Sequence, residues 1–434
     1  MKYFNFIMLA VLIVQAACSP VSTPKLTKQF REIESKFQDN TGFVLYDPQE
    51  KKTIFSYNGD RYFIPASNTK IFTLFASLNV LGDSIPALQY VVQGDSLIFS
   101  GTGDPTFLYQ DVFGNSRTYE FLKNSGKDLY YAGDNFYTTP LGRGWAWNDY
   151  QYSYSPERSA FPMFGNMYTV TQPTASGIRV TPSYFKKYFW LADSAMRASS
   201  FVREIGSNRT DFYPGRVTVD GRQWRVPFRT GDLVTADLLS DTLKQPVYLT
   251  NTRLSAANRK LFYSVPADSV YKVMMQASDN FLAEQLLLVC SWVLSDSLRP
   301  EIAIRHVKEN YLKDLPDNPV WLDGSGLSRN NLFTPRSVVK LWEKLYVSVD
   351  RDRLFPLLAI GGKAGTIRNY YKNDPPYIYG KTGTLSNNHI LSGYLITKKG
   401  RTLIFSYMNG NYTVPTNEVR GEMERVLMQI HDNF

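Results

Sequence analysis

The chain has 434 residues, 43% of them hydrophobic and 20% charged, a composition that excludes a disordered or collagen-like protein and requires a buried core. At this length about three quarters of the unfolded surface can be buried and a single core stops growing near roughly 250 to 300 residues, so two or more domains are expected. The formal charge of +9 suits an anionic surface such as nucleic acid, membrane or cell wall, or plain solubility, while two cysteines and three histidines exclude a disulfide scaffold and a four-thiolate zinc site.

The N-terminus carries Lys2, an apolar run from Phe6 to Val14, and then Gln15-Ala16-Ala17-Cys18. About nine apolar residues are too few to span a bilayer, and the layout is that of a secretory signal over residues 1–17. A cysteine directly after two small residues resembles a bacterial lipoprotein cleavage site. That reading makes Cys18 the lipid-bearing first residue of an exported chain held at a membrane. Gln15 departs from it, since such sites prefer an aliphatic residue, and a plain secretory signal is the other reading. Cys290 ends the run Leu286-Leu287-Leu288-Val289-Cys290 and reads as a buried, inert thiol.

Residues 41–46 and 53–57 read as a hairpin around Asp47-Pro48-Gln49-Glu50. A helix follows from Ser67, with Ile71, Phe72, Phe75, Leu78 and Leu81 on one stripe and Gly82 as its stop. Two apolar helices are expected between Ser269 and Leu294, and another from Thr334-Pro335, an N-cap followed by proline at the first helical position. Residues 377–385, 389–397 and 401–408 read as a strand meander. Thr416 opens a last helix whose Val419, Met423, Val426, Leu427 and Ile430 share a face. Strands and helices at both ends imply one α/β unit assembled from residues 18–89 and 237–434. The aromatic, Gly/Pro-rich stretch between them, residues 90–236, reads as an inserted, mostly β region with strand-like pieces at Ser96–Ser100 and Arg216–Asp220.

Three short motifs occur in order: Ser67-Asn68-Thr69-Lys70, Ser278-Asp279-Asn280 and Lys381-Thr382-Gly383. Each pattern alone is weak, since SxxK, SxN and KxG all recur elsewhere in the chain. Context selects these three. Ser67 opens a helix, so its hydroxyl lies near free backbone N–H groups and the positive end of the dipole, and Lys70 faces the same way one turn later. A lysine of ordinary pKa, about 10.4, is a poor base near neutral pH. It must be desolvated or set beside another cation, a part that Lys381 can take. Ser278-Asp279-Asn280 lies between two helical patterns, where Ser278 can relay a proton to a leaving amine while Asn280 orients Lys70 and holds a substrate carbonyl. The same three residues also read as a capping turn for the following helix. In a strand context Lys381 and Thr382 can bind a carboxylate, and Gly383, without a side chain, lets a substrate backbone approach as an added strand. The N–H groups of Thr384 and Ser67 can then form an oxyanion hole.

This set of three motifs is the one shared by penicillin-binding proteins and class A β-lactamases. Ser67 and Ser278 lie 211 positions apart, and with that spacing the chain resembles the D-alanyl-D-alanine carboxypeptidase/endopeptidase family of penicillin-binding protein 4 type. Further matches are Gly103-Asp104-Pro105-Thr106, Trp145-Ala146-Trp147-Asn148-Asp149, Asn280-Phe281-Leu282-Ala283-Glu284 and Asp323-Gly324-Ser325-Gly326-Leu327-Ser328. The resemblance implies a transpeptidase-like α/β (α+β) domain, a five-stranded antiparallel sheet between helices, with inserted β-rich domains. It implies that Ser67 attacks the bond between two D-alanines of a peptidoglycan stem peptide in the periplasm, forms an acyl-enzyme and passes it to water. Cleavage of D-alanyl cross-links is the implied second activity, and β-lactam antibiotics are the implied acylating inhibitors. Lys381 and Thr382 would hold the terminal carboxylate. Asp149 would meet a free amine of diaminopimelate, or else is a turn carboxylate on an aromatic loop. No metal or organic cofactor is implied. A β-lactamase-like hydrolase and a non-catalytic wall-binding or sensor protein are the alternatives; a nucleic-acid binder rests on charge alone and is opposed by the export signal.

Overall fold

The computed structural model describes residues 23–109, 112–114, 117–133, 135–172, 177–193, 196, 199–215 and 221–434. The expected signal sequence, Cys18 and the expected strand-like piece Arg216–Asp220 lie outside the described residues.

A helix α1 (Thr23–Phe37) leads into the expected hairpin, β1 (Asn40–Asp47) and β2 (Lys52–Tyr57). The helix expected after Ser67 is α2 (Thr69–Val80). Strands β3 (Ser84–Gln93), β4 (Ser96–Gly101) and β5 (Asp128–Tyr131) follow, with α3 (Arg117–Lys123) before the last of them. Short strands β6 (Met167–Gln172), β7 (Arg179–Thr181), β8 (Phe189–Leu191), β9 (Ser200–Arg203), β10 (Thr210–Tyr213) and β11 (Arg222–Pro227) lead to α4 (Asp232–Leu243), β12 (Val247–Leu249) and β13 (Lys260–Pro266). Then come α5 (Ala267–Gln276), α6 (Asn280–Ser295), α7 (Pro300–Tyr311) and α8 (Pro335–Ser348). The chain closes with β14 (Ala359–Ile360), the meander β15 (Ile378–Leu385), β16 (Asn388–Ile396) and β17 (Thr402–Gly410), and α9 (Thr416–Asn433).

The main sheet runs β14-β15-β16-β17-β1-β2, antiparallel throughout. It has the five long strands expected plus the two-residue β14 at its edge. Side chains alternate across it, as the period of two requires. Phe43, Leu45, Leu391, Leu395, Leu403, Phe405 and Tyr407 pack under α1 and α9, while Val44, Ile390, Tyr394, Ile404 and Met408 join the cluster built by α2, α5, α6, α7 and α8. Helix α6 is wholly buried from Phe281 to Trp292 and apolar over most of that length, as a helix surrounded by protein must be. The Cys290 thiol lies in it with no exposure, pushed up to about 12 by burial, which leaves it unreactive as expected.

A second core surrounds a five-stranded sheet in the order β12-β5-β4-β3-β13, with two three-stranded sheets, β8-β10-β9 and β11-β6-β7, beyond it. This sheet takes strands from Ser84 to Pro266, a wider span than the expected 90–236. Position 90 falls within β3, and 236 within α4.

Candidate active site

Ser67 lies in a single 3-10 turn, Ala66–Asn68, that runs straight into α2. Ala66 has φ +46°, a left-handed conformation that costs a residue with a side chain roughly 1 kcal/mol. Gly326 abuts the Ala66 carbonyl so closely that any Cβ there would collide with it. Ser67 makes no side-chain cap bond; its hydroxyl is instead half-buried beside a lysine.

Lys70 is fully buried, and its Nζ donates to Ser67 Oγ at 2.9 Å, Asn280 Oδ1 at 2.6 Å and the Ser325 carbonyl at 2.7 Å. Three acceptors saturate an ammonium. Once deprotonated, the amine turns a lone pair toward one of them, and only Ser67 has a proton to give. Burial lowers Lys70 to about 8 against the opposing pull of Asp323, Asp279 and Glu284. Desolvation, rather than a second cation, is therefore what makes this amine a usable base. The crowding of cations shows on Lys381, also fully buried, which desolvation and then the Lys70 charge hold well below the ordinary lysine range.

Lys381 Nζ donates to Ser278 Oγ at 2.8 Å and to the Thr382 carbonyl at 2.8 Å. Ser278, at φ +60°, thus faces the Lys381 side of the site. Asp279 caps α6 by accepting the Leu282 N–H at 3.0 Å and also accepts the Tyr109 hydroxyl at 2.9 Å, so the second motif is both a cap and a wall of the site. Asn280 orients Lys70 through Oδ1, while its Nδ2 donates to the Tyr154 carbonyl at 2.8 Å.

Gly383 also meets a constraint from within the protein. A Cβ on it would lie 2.5 Å from the Pro65 carbonyl oxygen, 3.0 Å from Asn68 N and 3.1 Å from Ser67 N. The missing side chain lets β15 close on the nucleophile's turn, and Thr384 lines the same two clefts as Ser67. On its outer edge β15 pairs with β14 only at Gly380 and Tyr379, so Lys381 to Thr384 is an open strand edge.

Two clefts meet at Ser67 and Thr384. One, of about 390 Å³, is lined by Ser278, Thr366, Thr382 and His389 among others. The other, of about 320 Å³, is lined by Asp149, Tyr154, Asn280 and Arg329. Asp149 accepts the Tyr154 hydroxyl at 2.8 Å and faces this second cleft. All three motifs and Asp149 therefore converge on one site. Among the described residues no group of His, Cys, Asp and Glu is arranged to hold a metal ion, and no helix is long and apolar enough to cross a membrane.

One protein-family model matches residues 25–430. The chain belongs to the D-Ala-D-Ala carboxypeptidase 3 (S13) family. It is 24% identical to the D-alanyl-D-alanine carboxypeptidase DacB of Haemophilus influenzae over 91% of this chain and 90% of that one. It is 26% identical to the D-alanyl-D-alanine carboxypeptidase of Actinomadura sp. R39 over 92% and 84%. The fold is similar to the crystal structure of penicillin binding protein 4 from Haemophilus influenzae, with a TM-score of 0.75, 20% identity and 93% and 99% of the chains covered. A second structure of that protein is complexed with a β-lactam (TM-score 0.67, 20% identity, 92% and 97% covered). Family membership makes the chain a serine-type D-Ala-D-Ala carboxypeptidase with a penicillin-binding-protein fold.

Several residues around Ser67 and Lys381 have roles that the sequence does not assign. Asn68, fully buried, donates to the Lys381 carbonyl at 2.8 Å and accepts from Ser392 Oγ at 2.5 Å, tying the nucleophile's turn to β15 and β16. Asp323 accepts from the N–H groups of Gly326 and Ser328 at 3.0 and 2.7 Å, from Asn331 Nδ2 at 2.7 Å and from Trp145 Nε1 at 3.0 Å. It thereby shapes the loop that offers the Ser325 carbonyl to Lys70. Thr366 Oγ1 meets Thr382 Oγ1 at 2.6 Å.

Proposed function

We propose that this S13 carboxypeptidase cleaves the D-Ala-D-Ala terminus of peptidoglycan stem peptides through an ester on Ser67, and that it also cleaves D-alanyl cross-links. The observation that carries the mechanism is the 2.9 Å bond between Ser67 Oγ and a fully buried Lys70 lowered to about 8. Neutral Lys70 takes the hydroxyl proton as Oγ attacks the carbonyl carbon of the penultimate D-Ala. The N–H groups of Ser67 and Thr384 take the charge on the oxygen. The C–N bond then breaks, and the departing amine is protonated through Ser278, which Lys381 holds by its hydroxyl. Water hydrolyses the ester and returns the serine. Lys381 and Thr382 hold the substrate's terminal carboxylate, and the stem peptide pairs with the open edge of β15. On the acyl side, Asp149 and Arg329 face one cleft, a carboxylate and a guanidinium suited to the ammonium and carboxylate of a diaminopimelate end.

The same reading places the protein outside the cytoplasm, exported by residues 1–17 and held by a lipid on Cys18, and divides the chain into the peptidase unit and an insert. β-Lactams act as substrate mimics that stop at the Ser67 ester, in line with the complex formed by the Haemophilus protein. Intact mass after incubation with benzylpenicillin tests the mechanism. One persistent drug adduct on the wild type and none on Ser67→Ala is the expected result. Fast turnover of the drug would favour the β-lactamase-like alternative, and no adduct with no peptidoglycan cleavage would favour the non-catalytic one.

A further inference from the structure

The cleft on the Ser278 and Thr382 side of Ser67 extends past those residues to two arginines. Arg368 follows the turn Gly365–Ile367 that carries Thr366, and it is exposed apart from a 3.3 Å bond from its Nη1 to the Gly365 carbonyl. Arg420 reaches the cleft from the second turn of α9 and is half-buried, its guanidinium 5.8 Å from the centre of the Tyr370 ring. Among the described residues neither guanidinium has an ion-pair partner. Glu424, one turn along α9, is committed to the Tyr371 N–H. The only histidine in the cleft, His389, is held neutral by burial and by the charges of Arg420 and Lys381, which lower it to about 3. The positive charge here thus stands on arginines, which are not neutralised at any working pH and fit carboxylates in pairs.

The side of Ser67 these arginines occupy identifies what they would meet. Asp149 and Asn280 line the other cleft, where the acyl part lies; Ser278, the proton donor to the departing amine, lines this one. Lys381 and Thr382 already suffice for the single carboxylate of a departing D-alanine. We infer that Arg368 and Arg420 form a leaving-group subsite that binds a second carboxylate, one present when the leaving group is a cross-linked stem peptide and absent when it is D-alanine. The inference rests on the DD-peptidase reading and assigns it a substrate preference: cross-linked dimers with a free carboxylate on the departing strand.

The test compares D-alanine release from a single stem peptide with cleavage of a D-alanyl cross-linked dimer, using the wild type, Arg368→Gln and Arg420→Gln. It adds a dimer whose departing strand has its further carboxylates converted to carboxamides. Partly exposed charge pairs are worth a few-fold each, so each substitution is expected to lower kcat/KM on the dimer about fivefold, mainly through KM, and D-alanine release by less than about twofold. Amidation should lower cleavage by the wild type by at least as much as one substitution does, and should cost each variant less than it costs the wild type. Because the amidated substrate leaves the protein intact, a folding defect in a variant cannot produce this pattern. Equal cleavage of free and amidated dimers by the wild type would overturn the subsite, as would equal losses on both reactions. A wild type that takes no penicillin adduct and cleaves neither substrate would instead overturn the DD-peptidase reading beneath it.

Discussion

Glu284 accepts the backbone N–H of Ser325 at 2.7 Å, and the carbonyl of that same Ser325 receives the Lys70 ammonium at 2.7 Å. The other Glu284 oxygen meets Arg158 at 3.3 Å, both side chains almost fully buried. Arg158, from the chain between β5 and β6, thus reaches the base through one carboxylate and one peptide group. Glu284→Ala would leave Arg158 and the Ser325 N–H without that partner. Breaking a buried pair costs about 3 to 5 kcal/mol, so chemical denaturation should show a loss of that size. Penicillin acylation should slow about tenfold or more, with Glu284→Gln intermediate because it keeps an acceptor for Ser325. Unchanged acylation in the alanine variant would break the proposed link from Ser325 to Lys70.

Acylation should depend on pH through Lys70. The amine is a base only when neutral, and its pKa is about 8, so the second-order rate with benzylpenicillin should rise from pH 6 and level off above about pH 8 to 9. Lys70→Arg cannot deprotonate in this range and should lose about 10²- to 10⁴-fold, the usual worth of a general base. Stopped-flow or mass-resolved acylation across pH provides the measurement. A flat profile in the wild type would remove Lys70 from the proton transfer.

Gly383→Ala tests the packing of β15 on the nucleophile's turn. The added methyl would sit 2.5 Å from the Pro65 oxygen, and the turn and strand must part by several tenths of an ångström to admit it. Misplacing a reacting group by about 1 Å can cost about 10²-fold in rate. We expect acylation to fall by about 10- to 100-fold with a stability loss under about 2 kcal/mol, because the site moves while the core does not. A variant with wild-type acylation would mean that the turn tolerates displacement.

Asp104 gives a stability signature. Its carboxylate is buried and accepts the Thr106 N–H at 2.9 Å and the Thr106 hydroxyl at 3.1 Å, yet desolvation raises it to about 6. A raised acid favours the folded state while neutral. Its contribution is therefore complete below about pH 4 and lost as pH rises through about 6. Lifting a carboxyl from its ordinary value to about 6 corresponds to roughly 3 kcal/mol. Asp104→Asn, neutral throughout, should flatten unfolding free energy between pH 4 and 7 by up to that amount. Parallel curves for the two proteins would show that Asp104 does not titrate this way.

What the sequence discloses is local and what it conceals is distant. Ser67 and Lys70 are one helical turn apart, so their meeting follows from the backbone period. The last meander is legible because its strands alternate and its turns are short. Helix α1 has no counterpart among the expected elements, although Leu26, Phe30, Ile33 and Phe37 fall at helical spacing. Nor does α7, in which four charged residues stand among five apolar ones. The roles of Asn68 and Thr366 have no local signal, since each acts through a partner folded in from elsewhere, whereas Asp323 heads the quoted Asp323–Ser328 motif and is bound mostly by that loop itself. Gly383 stands out in the sequence but its purpose does not, because the atoms a side chain there would strike belong to a turn more than 300 residues earlier.

The pairing of β1 with β17 joins Asn40 to Gly410, 370 positions along the chain. The central sheet therefore cannot close on a growing chain until β17 has emerged, and contacts of this range make folding slow. Asn68 waits for Lys381 and Ser392 before the turn bearing Ser67 is fixed. A chain made short of β16 consequently has no assembled nucleophile. Hydrolytic competence arrives only once the β15–β17 meander is made, long after the residues that bear Ser67.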